Sequence, residues 1–142
     1  MKITTKGRYG LRIMLELTKH YVEKKGSLVD LKTIGEIQKL PVKYLEHIVR
    51  VLMKKGLIQS LRGVNGGYKL KKNPQDIYVF DILEACEHIS TICPCVNEKN
   101  CPFLKVCGMC DVWEGLKKVI VKYLSSVSIF DVYKMCKEKN KV

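Results

Sequence analysis

Residues 39–70 read "KLPVKYLEHIVRVLMKKGLIQSLRGVNGGYKL", and two periodicities succeed each other within them. Pro41 suits the start of a helix, where its missing N–H costs nothing. Leu45, Ile48, Val49, Leu52 and Met53 then recur at three- and four-residue spacing, the buried stripe of an amphipathic helix that Gly56 ends. In "LIQSLRGVNGGYKL" the period changes. Short extended runs flank a Gly-rich turn, which predicts a β-hairpin. Just upstream, Asp30 is placed to cap a short helix over 31–39 that buries Ile34 and Ile37. Two helices joined by so tight a turn predict a helix-turn-helix, and a hairpin directly after its second helix is a wing. The expected fold class is mainly α with a small β-hairpin wing.

Outward from this stretch, Ile13, Met14, Leu17 and Tyr21 recur at helical spacing over 8–23, with Gly26 as the C-terminal cap. "DIYVFDILEACEHI" (76–89) predicts another amphipathic helix, with Ile82, Leu83 and Cys86 inward. A cysteine-rich loop fills roughly 90–110. Beyond it Val112, Trp113, Leu116, Val119, Ile120, Tyr123 and Leu124 form an apolar stripe on a long helix. A stripe outside the winged core predicts packing against a second copy, hence a homodimer. "SIFDVYKMC" (128–136) reads as a last helix capped by Ser128. The expected organisation is a winged helix-turn-helix domain over 1–75, a connecting helix and cysteine loop over 76–110, and a dimerisation helix with a C-terminal helix over 111–142.

The net charge of +12 is concentrated in one half of the chain. Residues 1–75 carry 17 Lys/Arg against 5 Asp/Glu, while residues 76–142 carry nine of each sign. A basic half-chain is the electrostatic footprint of a polyanion partner, here double-stranded DNA. With Leu45, Ile48 and Leu52 inward, Lys43, His47, Arg50 and Lys54 face outward along the second helix, placed for phosphate and base contacts. Glu46 has two readings. It accepts a hydrogen bond from a cytosine amino group, lending specificity, or it pairs with Arg50 four residues on. Arg62 stands at the entry to the wing turn, suited to the negative potential of a minor groove. Gly66 and Gly67 serve the turn and a close backbone approach, and Tyr44 packs or touches phosphate.

No apolar run approaches the ~18 residues of a membrane span, and "MKITTKGRYGLRIML" has no run of signal-peptide length. A cytoplasmic protein with reduced thiols is therefore expected, and seven cysteines, an odd number, fit a disulfide framework poorly. Five of those seven fall in "CPCVNEKNCPFLKVCGMC" (93–110). Cys95, Cys101, Cys107 and Cys110 are spaced by five, five and two residues. Structural zinc sites usually offer two tight pairs, whereas ligands spread along a loop suit an iron–sulfur cluster. Spacing leaves both open, and the role of Cys93 with them. Cys86 and Cys136 read as packing residues. No Ser/His/Asp set, phosphate loop or paired carboxylate suggests an enzyme.

Taken together, "MKITTKGRYGLRIMLEL", "YLEHIVRVLMKKGLI", "SLRGVNGGYKL" and the spaced cysteines resemble the Rrf2-type family of winged-helix transcriptional regulators, which includes IscR, NsrR and CymR. The resemblance implies a homodimeric bacterial transcription factor, with the helix after the cysteines making the dimer. It implies that Glu46 discriminates between operator classes and that Arg62 reaches the minor groove. Lys43 and His47 occupy the other recognition positions but differ in type from the IscR residues. It also implies that Cys95, Cys101 and Cys107 ligate an iron–sulfur cluster, with 2Fe–2S favoured and 4Fe–4S left open. The fourth IscR position is a histidine, and here it is Cys110. Where NsrR supplies a carboxylate from the partner there is Arg8, which cannot bind iron, so an all-cysteine site within one subunit is expected. The rival expectations are a zinc or thiol-based regulator without a cluster and, further off, an iron–sulfur electron carrier or assembly protein. Lys99 and Lys105 are expected to balance the charge of a thiolate-bound cluster.

Overall fold

The structure is a computed structural model and describes residues 2–97 and 100–140; Lys99 lies outside the described residues. Its elements in chain order are α1 (Thr5–Glu23), α2 (Leu31–Gln38), α3 (Val42–Lys54), β1 (Ile58–Leu61), β2 (Gly67–Leu70), a 3-10 turn (Pro74–Asp76), α4 (Val79–Glu87), α5 (Pro94–Asn97), α6 (Met109–Leu124) and α7 (Ile129–Lys139). The chain is mainly α with one antiparallel hairpin, as the periodicities predict.

The hydrophobic core gathers one stripe from each element of the winged helix: Ile13, Met14 and Leu17 of α1, Ile34 of α2, Leu45, Ile48, Val49 and Leu52 of α3, and Ile82 and Cys86 of α4. Asp30 caps α2 as expected, its Oδ1 accepting from the Thr33 N–H at 2.9 Å. Ile37, by contrast, is half exposed. The turn after α2 draws Leu40 inward instead, with the Leu40 N–H donating to Gly35 O at 2.8 Å. Leu40 then occupies the inward place beside Ile34.

α1 begins three residues earlier than its apolar pattern suggests. Thr4 caps it by accepting from the Gly7 N–H, and its own N–H donates to both carboxylate oxygens of Glu87 at 2.9 and 3.1 Å. α4 therefore crosses α1 at very short range. A Cβ on Gly10 would lie 2.6 Å from the Cys86 sulfur, and one on Gly7 would overlap the Glu87 carboxylate. These two glycines allow the crossing.

In the wing, Ile58 faces Leu70 and Leu61 faces Gly67. Val29, just before α2, adds a third extended segment, exchanging hydrogen bonds with Tyr68 at 3.0 and 2.8 Å. Gly67 has φ +155°, and a Cβ there would strike the Val29 carbonyl. The wing is thus fastened to the entrance of the helix-turn-helix.

A smaller cluster of Val79, Leu83 and Ile89 receives Ile120 and Leu124 of α6. Ser128 caps α7, accepting from the Asp131 N–H at 3.1 Å. α7 returns to α1, where the Tyr133 hydroxyl donates to Glu23 at 2.8 Å and Lys137 pairs with the same carboxylate.

Candidate nucleic-acid interface and cysteine loop

α3 is held by its buried stripe so that Lys43, Tyr44, Glu46, His47, Arg50 and Lys54 all lie exposed. Among the described residues Glu46 makes no ion pair, with Arg50 or any other cation. Their side chains are not committed to each other, so the i,i+4 pairing considered for Glu46 is not formed. Tyr44 packs edge-on against Tyr9, ring centroids 5.5 Å apart, while the Arg12 guanidinium lies 5.9 Å from the Tyr9 ring.

The turn ahead of α3 is fixed by polar groups that helical periodicity does not reveal. Arg12 donates through Nε to Gln38 Oε1 at 3.0 Å and through Nη2 to the Gln38 carbonyl. Gln38 Nε2 donates in turn to Glu16 Oε2 at 3.0 Å. Glu16 is 4% exposed, and its charge is offset by this amide and by Lys19 at 3.4 Å, with His20 Nε2 3.7 Å away. Burial, reinforced by Lys24, lowers the His20 pKa from its ordinary 6.5. His20 Nδ1 lies 3.1 Å from Ser27 Oγ. A glutamate on the inward face of an apolar helix was the available sequence signal for this set.

The wing turn closes with the Gly66 N–H donating to Gly63 O at 3.0 Å. A Cβ at Gly66 would lie 2.2 Å from Leu61 O, so the turn cannot be broadened by a side chain there. Arg62 is exposed and, among the described residues, without an acidic partner. A crevice of about 530 Å³, lined by Met53 of α3, Asp30, Arg62, Gly66, Gly67 and Tyr68, joins the end of α3 to the wing. Every candidate DNA-facing residue thus belongs to α3 or to the hairpin that follows it.

The cysteine loop leaves α4 at a fixed point, since Glu84 accepts from both the N–H and the hydroxyl of Ser90 at 2.9 and 2.7 Å. The loop contains a short helix, α5, that the spacing does not announce. All seven thiols are free. The Cys110 thiol feels Cys107, Cys101 and Cys93, and that of Cys95 feels Cys93, Cys110 and Cys101. The Cys95 pKa is raised, first by a hydrogen bond with Cys93. That of Cys110 is raised first by desolvation and then by Cys107. The Cys110 sulfur also approaches the Cys95 carbonyl at 4.0 Å. Among the described residues no three His, Cys, Asp or Glu side chains already stand at chelating distance. The donor set nevertheless fits a thiophilic metal group, being four neighbouring, part-exposed sulfurs. Cys86 differs: it is buried on α4, and desolvation pushes its thiol up to about 11. Arg8 is exposed and donates to Thr5 Oγ1.

α6 starts beside Cys110 and has no buried residue. Val112, Val119 and Tyr123 are 54, 65 and 66% exposed. Among the described residues no helix is long and apolar enough to cross a membrane.

Residues 3–135 match the profile of the Rrf2 family, described as iron-dependent transcriptional regulators. The chain is 36% identical over 133 residues to protein rrf2 of Nitratidesulfovibrio vulgaris, covering 93% of this chain and 87% of that protein. Among solved structures, IscR of T. potens superposes with a TM-score of 0.78 at 37% identity, over 98% of this chain and 90% of that one. CymR, the global cysteine regulator of B. subtilis, superposes with a TM-score of 0.71 at 34% identity, over 95% and 98%.

Proposed function

This chain belongs to the Rrf2 family and is a DNA-binding transcriptional regulator rather than an enzyme; on that premise we propose that it acts as a homodimer whose operator affinity is set by an iron–sulfur cluster held by Cys95, Cys101, Cys107 and Cys110. In this reading Lys43, Tyr44, His47 and Arg50 of α3 meet phosphates and base edges in the major groove. Glu46, uncommitted to Arg50, accepts from a cytosine amino group and trades affinity for specificity. Arg62 enters the adjacent minor groove, and Gly66 and Gly67 let the wing backbone approach the sugar–phosphate chain. The exposed face of α6 meets its counterpart in a second copy, which sets two recognition helices about one helical turn of DNA apart.

The cluster reading is supported by four free, part-exposed cysteines on one loop ahead of α6, in a chain that matches a family described as iron-dependent regulators. A thiolate-held 2Fe–2S cluster supplies a one-electron redox couple and an anionic centre. The N-terminal turn of α6, where Cys110 sits, favours negative charge on that sulfur through the helix dipole. Closing four side chains around one centre orders the loop over 91–110, which leads directly into α6 and so bears on the pose of the two subunits. Cys110, where IscR-type sequences have histidine, leaves the ligand set without an imidazole to titrate, and a fourth thiolate lowers the reduction potential.

Anaerobic purification of the full chain tests this. Wild type is expected to be coloured, to contain iron and sulfide, and to differ from its apo form in operator affinity. Cys110→Ala is expected to lose the colour and that difference. A colourless wild type containing zinc or no metal would leave a zinc or thiol-based regulator. Unchanged colour and operator binding in Cys110→Ala would refute the ligand assignment.

A further inference from the structure

Val64 is fully exposed, at 104% of its reference area. It stands at the tip of the wing turn between Gly63 and Asn65, where turn chemistry favours glycine, asparagine, aspartate or serine. A β-branched apolar side chain there touches nothing within its own chain and leaves its hydrocarbon in water. Leu61, on the other side of Arg62, is 53% exposed. The wing therefore presents two apolar groups flanking a cation, on a turn that Gly63 and Gly66 keep narrow. The Val29–Tyr68 hydrogen bonds hold the wing at the entrance of the helix-turn-helix, across a crevice from Met53 of the helix assigned to the major groove.

We propose that Val64 is a specificity-determining residue that enters the minor groove beside the major-groove site and selects A·T pairs there. The chemistry follows from the groove. Its walls are deoxyribose C–H surface and its width is about 6 Å, room for an isopropyl group on a narrow turn. Its floor carries only acceptors at A·T pairs, whereas each G·C pair adds the guanine 2-amino group. That amino group projects into the space an apolar tip would fill and would lose its hydration without gaining an acceptor, because valine has none. Arg62 supplies attraction to the groove's negative potential, and Val64 supplies rejection of the 2-amino group. Apolar side chains serve other minor-groove proteins in a related way, as wedges. This inference rests on the assignment of α3 and the wing to DNA.

The test uses the full chain as purified and a duplex selected by it from a randomised pool. The A·T pairs that the wing protects from minor-groove footprinting are replaced in turn by G·C, by inosine·C, which lacks the 2-amino group, and by diaminopurine·T, which adds it. Wild type is expected to lose about tenfold in affinity with G·C and diaminopurine·T, the discrimination typical of one altered pair, and to keep its affinity with inosine·C. Val64→Ser, which touches no core residue, is expected to bring all four duplexes within about threefold while leaving the salt dependence unchanged. Equal losses with inosine·C and G·C, or wild-type discrimination by Val64→Ser, would overturn the proposal while leaving the DNA assignment standing. Selection of no duplex, or affinity insensitive to salt, would overturn both.

Discussion

Gly10→Ala places a methyl carbon 2.6 Å from the Cys86 sulfur, and 3.6 and 3.7 Å from Ile82 and Ile48. Carbon contacts settle near 3.5–4.0 Å, so only the sulfur contact is violated, by about 1 Å. Neither α1 nor α4 can yield freely, because Glu87 ties α4 to Thr4 at the start of α1. Overpacking of this kind costs about 1–3 kcal/mol. Cys86→Ala alone removes one buried heavy atom and should cost about 1 kcal/mol, as deletion of a single buried methyl does. The double variant puts the new methyl where the sulfur was and should cost no more than Cys86→Ala alone. A coupling energy of about 1–3 kcal/mol follows, well above the ~0.5 kcal/mol scatter of independent sites. Unfolding entropy of roughly 2.1 cal/mol/K per residue converts each kcal/mol into a Tm change of about 3 °C. Urea titrations of the four proteins under reducing conditions, with unchanged m-values, give the energies. Additive losses would refute the claim that α1 and α4 are in direct contact at Gly10 and Cys86.

Three further outcomes follow from particular groups. His20 has a folded pKa below its unfolded value of 6.5, so the unfolded chain binds the proton first. Its contribution to stability is complete above about pH 6.5 and is lost as pH falls from there to the lower folded value. His20→Gln should flatten urea midpoints between pH 7.5 and 5.5, and an unchanged slope would count against burial as the cause. Arg62→Ala should weaken operator binding and reduce the slope of log K against log salt by about 1; an unchanged slope would remove Arg62 from the phosphate-lined groove. Val119→Glu, on the 65%-exposed apolar face of α6, should yield a monomer in sedimentation, and a persisting dimer would move the interface elsewhere.

What the sequence disclosed and what it withheld divide by the distance between partners along the chain. The α3 stripe, the hairpin glycines and the caps at Asp30 and Ser128 each depend on residues within a few positions, so pattern alone reaches them. Ile37 and Leu40 are an exception at short range. Both fit an inward position, and the choice fell to the backbone of the turn, which no periodicity encodes. The Thr4–Glu87 pair spans 83 residues and the Glu16–Gln38 pair 22. The second leaves only an inward-facing glutamate that does not name its partner, and the first leaves no local signature, so Gly7 and Gly10 could not be identified as crossing points. The cysteines show both sides of this division, since the apolar period over 76–89 already separates Cys86 from the loop thiols but does not say what covers it. Cys86 and Cys95 are nine positions apart and chemically identical in the unfolded chain. α1 covers the first so closely that its thiol is driven up to about 11, and it becomes packing. The second stays on a part-exposed loop among other sulfurs. The helical period turns Cys86 inward, while long-range packing supplies what covers it, the Gly10 backbone of α1.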